Sequence, residues 1–279
     1  FSAYRELYVR ELFKTDGTEA GTELVADIDP INGGFPGAFG SVPHHLIQHG
    51  DEAFFFAFDS NFGSELWKSD GTEAGTMMVA DVLPGLGIGE PLFSDAPVSL
   101  GDEVFFIARR PSGSLALFKT DGTAAGTEIV GVTDPAGFLT EFVRLERVGD
   151  QLIFQLNEPG VTGVELWTSD GTLAGTEILV DANPGENGIF LSEFVVAEDL
   201  GYYTIGIGAN RSLWVTDGTP AGTEMLVESS SFFSPSGIAP FGSGLLFTME
   251  DATFGREPWI SDGTVAGTQV LLDIVAGPD

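Results

Sequence analysis

Residues 15–22 read TDGTEAGT, and the octamer returns almost unchanged as SDGTEAGT at 69–76, TDGTAAGT at 120–127, SDGTLAGT at 169–176, TDGTPAGT at 216–223 and SDGTVAGT at 261–268. Six copies at a slowly shortening spacing mark one supersecondary unit repeated along the chain. The octamer reads as a turn. Asp16 and its equivalents can accept the backbone N–H two residues on, closing an Asx-turn. Gly17 supplies the positive φ of a tight hairpin, Thr18 and Thr22 cap it from both sides, and Ala20-Gly21 suits a place with no room for side chains. Six identical turns need no shared chemistry, so the octamer is expected to be a structural hairpin between the third and outermost strands of each unit. Calcium binding by the octamer is the weaker reading, because an EF-hand loop places more oxygen ligands at alternating positions and ends on Glu.

Outward from the second copy, residues 46–49 are a short apolar stretch, Gly50-Asp51 a turn signal, and 53–58 a dense aromatic run. A polar, Gly-containing stretch follows at 60–64, then 65–69, the octamer and 77–82. The pattern predicts four short strands with no helical periodicity. Comparable runs recur at 104–108, 151–156, 202–207 and 245–249, and their near-continuous apolarity implies sheets covered on both faces. Four strands in each repeat of roughly 50 residues is the period of a β-propeller blade. WD40 and kelch repeats have similar periods, but neither a Trp-Asp closing pair nor a diglycine stands in the expected place, and leucine-rich and β-helix repeats are shorter. The expectation is an all-β, six-bladed β-propeller forming a single domain over residues 1–279. Phe1-Ser2-Ala3, seven residues ahead of Glu11-Leu12, aligns with Phe55-Phe56-Ala57 ahead of Glu65-Leu66, so the visible chain enters near the end of a second strand and the first blade is incomplete. The apolar terminal repeats favour a ring in which that blade closes against the sixth. Its slot would be filled by strand addition from another segment of a longer protein or from a neighbouring copy.

The segments Glu65-Leu66-Trp67-Lys68-Ser69-Asp70-Gly71-Thr72 and 165–172, and less closely 11–18 and 257–264, resemble the ELWxxDGT repeat family of bacterial secreted and surface proteins. The third and fifth copies depart from it, with Ala116 and Ser212 in place of Glu. The resemblance covers essentially the whole chain, and the turn is also similar to the Asp-box of sialidase-type propellers, which is structural there. It implies an exported, propeller-like protein and transfers no catalytic residues.

The chain carries 42 Asp and Glu against 11 Lys and Arg, a formal charge of −31, with Lys only at Lys14, Lys68 and Lys119. Such a field repels phosphate backbones and anionic lipid, which argues against a nucleic-acid partner. An apolar content of 43% with 23 Phe supplies the core that an acidic disordered chain lacks. The absence of Cys removes disulfides and thiolate metal sites. No apolar run reaches the roughly 18 residues of a membrane helix, so membrane insertion is not expected. Acidity, few lysines and the Gly-rich repeat point to an extracellular or cell-surface bacterial protein.

Five residues past each octamer stand Asp27, Asp81, Val132, Asp181, Glu228 and Asp273. Asp27, Asp81, Asp181 and Asp273, with neighbours such as Asp29, Asn183 and Asn187, are candidate calcium ligands at one or two rim sites, since oxygen-rich loops suit that ion. The alternative role is edge-strand protection and an Asx-turn into the next blade. On a regular strand His45 and His49 share a face with His44 opposite, so a three-ligand zinc site would need a distorted backbone, and a polar lining near a central channel is expected instead. Neither a phosphate-binding loop nor a G-x-S-x-G elbow occurs.

The connections that vary between copies, 30–43, 84–97, 134–140, 184–191 and 229–239, carry Phe35, Phe39, Phe93, Phe138, Phe190, Phe232 and Phe233. Such aromatics either plug blade junctions or form a face for a protein or glycan partner, other copies of the chain included. The favoured function is therefore a non-enzymatic extracellular binding or structural module, an adhesive or matrix component presenting these loops. The alternative is a polysaccharide-active hydrolase or lyase with carboxylates at the channel mouth, where an enzyme would converge groups of shifted pKa on one pocket.

Overall fold

A computed structural model describes residues 1–6, 9–30, 40–84, 95–109, 115–133, 144–158, 163–185, 188–229 and 235–277. The linker aromatics Phe35, Phe39, Phe93, Phe138, Phe232 and Phe233, and Asn187, lie outside the described residues. Among the described residues all regular structure is β, and the chain divides into two compact units, Phe1–Leu145 with Gly171–Leu173 and Glu146–Asp170 with Ala174–Asp279.

The first unit opens on a three-stranded antiparallel sheet, β1 (Ser2–Glu6), β2 (Val9–Lys14) and β3 (Glu23–Ala26). Two four-stranded meanders follow: β4 (His44–His49), β5 (Glu52–Asp59), β6 (Gly63–Ser69) and β7 (Met77–Ala80), then β8 (Val98–Leu100), β9 (Glu103–Arg109), β10 (Leu115–Thr120) and β11 (Glu128–Thr133). The fourth meander runs β12 (Leu145–Val148), β13 (Gln151–Glu158), β14 (Gly163–Ser169) and β15 (Thr176–Val180). The fifth is β16 (Phe190–Ala197), β17 (Leu200–Ile207), β18 (Asn210–Thr216) and β19 (Glu224–Ser229), and the sixth β20 (Ser236–Phe241), β21 (Gly244–Asp251), β22 (Gly255–Ser261) and β23 (Gln269–Val270). Ser2 pairs with Leu12 and Ala3 with Glu11, as Phe56 pairs with Leu66 and Ala57 with Glu65. Thus β1 is the far half of a second strand, and among the described residues the first sheet has no innermost strand. The chain is an all-β, six-bladed β-propeller with an incomplete first blade.

The unbroken aromatic runs are explained by cores on both faces of a sheet. Phe54 and Phe56 join Leu66 and Val79 against Val104, Phe106, Ala116 and Phe118 of the third sheet. Phe55 and Ala57, on the opposite face, meet Leu12, Val25, Ala26 and Ile28 of the first. In the second unit, Ile153, Leu166 and Leu179 face Phe194, Tyr203 and Ile205, while Tyr202, Leu213 and Val215 face Leu245, Phe247 and Trp259. Each fully buried ring of this kind contributes about 1.5–3 kcal/mol.

The octamer closes the hairpin between third and fourth strands. In the second copy Asp70 Oδ1 accepts the Thr72 N–H at 2.9 Å and the Thr72 hydroxyl at 2.7 Å, and Thr72 Oγ1 accepts the Gly75 N–H at 3.0 Å. The Gly71 N–H donates to Ser69 Oγ at 3.0 Å, and the Thr76 hydroxyl donates to Thr72 O at 2.7 Å. The same bonds recur at residues 15–22, 120–127, 216–223 and 261–268. A Cβ on Gly75 would fall 2.1 Å from Asp70 Oδ1, which is why the seventh position is Gly. All three lysines stand immediately before an octamer. Lys14 Nζ donates 3.0 Å to Gly71 O in the next repeat's turn while pairing with Glu23. Thr168, at the same position, donates its hydroxyl to Gly218 O at 2.6 Å. These contacts tie an octamer to its neighbouring blade.

Candidate functional site at the linker end of the blades

The octamers occupy one end of each blade, and the connections between blades leave and enter at the other. There the Glu of the ELW motif decides the local structure. Glu11, Glu65 and Glu165 are wholly buried and Glu257 nearly so. Glu65 accepts the Val82 and Leu83 N–H groups at 3.1 and 3.3 Å, so its carboxylate is a latch that holds the chain where the outermost strand turns into the linker. Glu11 takes the Ile28 N–H at 3.3 Å, then the Ser41 N–H at 3.2 Å and hydroxyl at 2.6 Å from the far end of the same linker. Glu257 takes the Val275 N–H at 2.9 Å. Glu165 takes the Ala182 N–H on Oε2 at 3.4 Å, and the Asn183 N–H also stabilises its charged form.

Each latch glutamate precedes, at one constant spacing, an acidic residue singled out from the sequence: Glu11 goes with Asp27, Glu65 with Asp81, Glu165 with Asp181 and Glu257 with Asp273. Burial pushes the Glu65 carboxyl from 4.5 to about 7, partly offset by the two N–H donors, and the adjacent Asp81 adds to the rise. Burial likewise raises Glu165 to about 7, with Asp181 contributing, and raises Glu11 beside Asp27. Asp81, Asp181 and Asp273 are exposed, so each of these pairs has one carboxyl inside and one at the surface. Among the described residues no group of three His, Cys, Asp or Glu side chains converges on a metal position. Asp29 is buried and accepts the Ser60 N–H and hydroxyl at 3.2 and 3.0 Å. Asn183 donates its amide to Gly188 O at 2.5 Å.

A second element at this end is the residue before the motif. Arg10, Arg211 and Arg256 occupy that position in the first, fifth and sixth repeats. The Arg10 guanidinium lies 5.5 Å from the Tyr4 ring centre, and Tyr4 is 66% exposed. The Arg211 guanidinium lies 5.2 Å from the Phe190 ring centre, and Phe190 is 54% exposed. Both are cation–π pairs with a ring open to water. Arg211 also donates to Ser192 Oγ at 2.7 Å, and Arg256 to Ser236 Oγ at 3.5 Å.

Two expectations are corrected by the backbone. Phe190 is the first residue of β16 and therefore part of the sheet, not of a variable loop. The histidines do not alternate as on a regular strand: the register shifts between His44 and Ile47, and His45 has a φ of +53°. The His44 and His45 rings consequently lie 5.0 Å apart, both against Phe56, and burial lowers the His44 pKa. His49 is drawn away from them into a 2.7 Å hydrogen bond with Ser99 Oγ. At the octamer end of the second blade, Leu46, Gln48, Asp51, Glu52 and Asp70 line an open cleft of about 400 Å³. Its Glu52 is paired with Lys68 at 3.0 Å.

No protein-family model matches the chain, and no curated protein matches it. Among solved structures it is similar to a prolyl endopeptidase (15% identity, 94% of this chain and 39% of that one, TM-score 0.54). It is also similar to a puromycin hydrolase (14% identity, 94% and 41%, TM-score 0.52). A third similarity is to the β-propeller domain of the Trilobed protease from Pyrococcus furiosus (12% identity, 84% and 72%, TM-score 0.50). The chain spans about two fifths of the length of the first two. At these identities the likeness is one of fold, and the fold shared is the β-propeller.

Proposed function

We propose that the chain is a non-enzymatic, extracellular binding or structural module of the ELWxxDGT-repeat kind, an adhesive or matrix component that presents the linker end of its blades to a protein or glycan partner. One observation carries this reading. The glutamates of raised pKa, the groups an enzyme would aim into a cleft, point into the fold and hold linker backbone at Glu11, Glu65 and Glu165. What the linker end of a blade turns outward is aromatic in each unit taken by itself, Tyr4 in the first and Phe190 in the second, each braced by an arginine. Strand-borne rings fixed in this way suit recognition, because little side-chain freedom is lost on binding. The strong negative charge and scarcity of lysine support a place outside the cell.

The test is a panel of immobilised matrix proteins and polysaccharides, with bound chain quantified and the supernatant assayed for new reducing ends, unsaturated sugar products and released peptide. Saturable binding without product is expected. Product release that scales with chain concentration refutes the reading in favour of a hydrolase or lyase.

A further inference from the structure

Two histidines of the second blade are brought together by a backbone that a regular strand does not have. Among the described residues three non-glycines adopt a left-handed φ, and two of them, Val42 at +44° and His45 at +53°, bracket His44. Strain of this kind, at a β-branched valine above all, persists only where neighbours over-determine it, and it gathers at functional sites. The neighbours here are hydrogen bonds on every side. The Val42 N–H donates to Arg10 O at 3.1 Å, the Ser41 N–H and hydroxyl donate to the buried Glu11, and Ser41 O accepts the Phe58 N–H at 2.8 Å.

On this pinned segment His44 donates from Nδ1 to Val42 O at 2.9 Å. A carbonyl can only accept, so in the neutral ring the proton sits on Nδ1 and Nε2 keeps its lone pair. A metal-ligating imidazole is ordinarily held in this way, its second nitrogen donating to a carbonyl or a carboxylate. The exposed His45 ring stands beside it, 5.0 Å from centre to centre. With a metal–nitrogen bond of about 2.1 Å, a ring centre lies about 3.2 Å from the metal, and two rings at a tetrahedral angle lie about 5.2 Å apart. The observed separation is close to that value.

We propose that His44 and His45 are paired ligands of a divalent transition-metal site, of the copper and zinc class, with water at the remaining positions. The donors choose the occupant. Imidazole nitrogen suits copper and zinc, whereas calcium and magnesium take oxygen. The charge of Arg10 reaches His44 and opposes any cation held by charge alone, which favours an ion with strong bonds to nitrogen. His49 takes no part, because Ser99 Oγ holds its Nδ1 at 2.7 Å, away from the pair.

Isothermal titration of the metal-free chain with copper(II) or zinc(II) alone, in an excess of magnesium that occupies the acidic surface, tests the site. One equivalent is expected to bind, copper more tightly than zinc, and the paramagnetic resonance spectrum of the copper form should show two ring nitrogens. His45→Gly removes a ligand yet suits the left-handed backbone. It should weaken binding at least tenfold while the metal-free melting temperature stays close to the parent's. His49→Gln should bind as the parent does. Parent affinity in His45→Gly, an equal loss in His49→Gln, a copper spectrum without two ring nitrogens, or no stoichiometric binding of either metal overturns the proposal.

Discussion

Replacing Glu65 by Gln should make the protein more stable at alkaline pH and leave it unchanged at acid pH. In the unfolded chain this carboxyl titrates at 4.5, and in the fold at about 7. Between those values the folded state holds a proton that the unfolded state has lost. The stability the group contributes is therefore fully present below 4.5 and falls away as pH rises through 7. At about 1.36 kcal/mol per pKa unit the loss is about 3 kcal/mol. Glutamine imitates the protonated acid: its carbonyl still accepts from Val82 and Leu83, and its amide still donates toward Asp81. Urea unfolding of parent and Glu65→Gln should coincide at pH 4.5 and separate by about 3 kcal/mol at pH 8, a midpoint difference of roughly 1–3 M for ordinary m-values. Hydrogen exchange over residues 63–84 should report the same gap locally. A separation that does not change with pH would show that folding leaves the Glu65 pKa where it is in the unfolded chain and would refute the buried-acid account of the latch. Glu165→Gln should behave with the same sign in the second unit.

Gly75→Ala puts a Cβ 2.1 Å from Asp70 Oδ1 and must expel that carboxylate from the turn, so it should lower the melting temperature measurably; an unchanged midpoint refutes the steric role of the seventh octamer position. Asp70→Ala should likewise lower the midpoint without altering binding to the panel of matrix proteins and polysaccharides, and normal stability with lost binding would contradict a structural octamer. Lys14→Met keeps the stem and removes the bond to Gly71 O; because the ammonium is half exposed, the expected cost is at most about 1 kcal/mol, and a loss of several kcal/mol would refute that estimate. Calcium, if it binds at the rim carboxylates Asp27, Asp81, Asp181 or Asp273, should raise the melting temperature, and identical midpoints in EDTA and in excess calcium exclude it.

The strands and turns were legible because local chemistry encodes them. The octamer specifies its own hydrogen bonds, and runs such as 53–58 announce a sheet buried on both faces. The latch was not legible in the same way, since nothing in a single Glu announces burial, although a signal existed. Glu and a second acid recur at a constant spacing in Glu11 and Asp27, Glu65 and Asp81, Glu165 and Asp181, and Glu257 and Asp273; the third repeat lacks both, having Ala116 and Val132. The confinement of all three lysines to one repeat position was visible too, but its meaning depends on the neighbouring blade's turn. The left-handed His45 had no sequence signal, because strand alternation is the default until a bulge interrupts it.

The latch also accounts for why linker length varies while the blades do not. In the first repeat Glu11 binds Ile28 at the start of the linker and Ser41 at its end, and Gly40 bridges Arg10 so closely that a Cβ would lie 2.6 Å from Arg10 O. In the fourth, Glu165 binds Ala182, and Gly188 lies against Val164, where a Cβ would fall 2.2 Å from its N; the Ile189 N–H then donates to Val164 O at 2.7 Å. Both linkers are thus gripped at entry and exit by the same two positions of the third strand. Yet the stretch from Asp27 to Gly40 is nearly twice as long as the stretch from Asp181 to Gly188. With both ends fixed, added residues cost only the slowly growing entropy of a longer closed loop, about 0.6 kcal/mol per doubling. Insertions are therefore tolerated at the face where the exposed rings stand, and that face can diversify without disturbing the sheets that carry it.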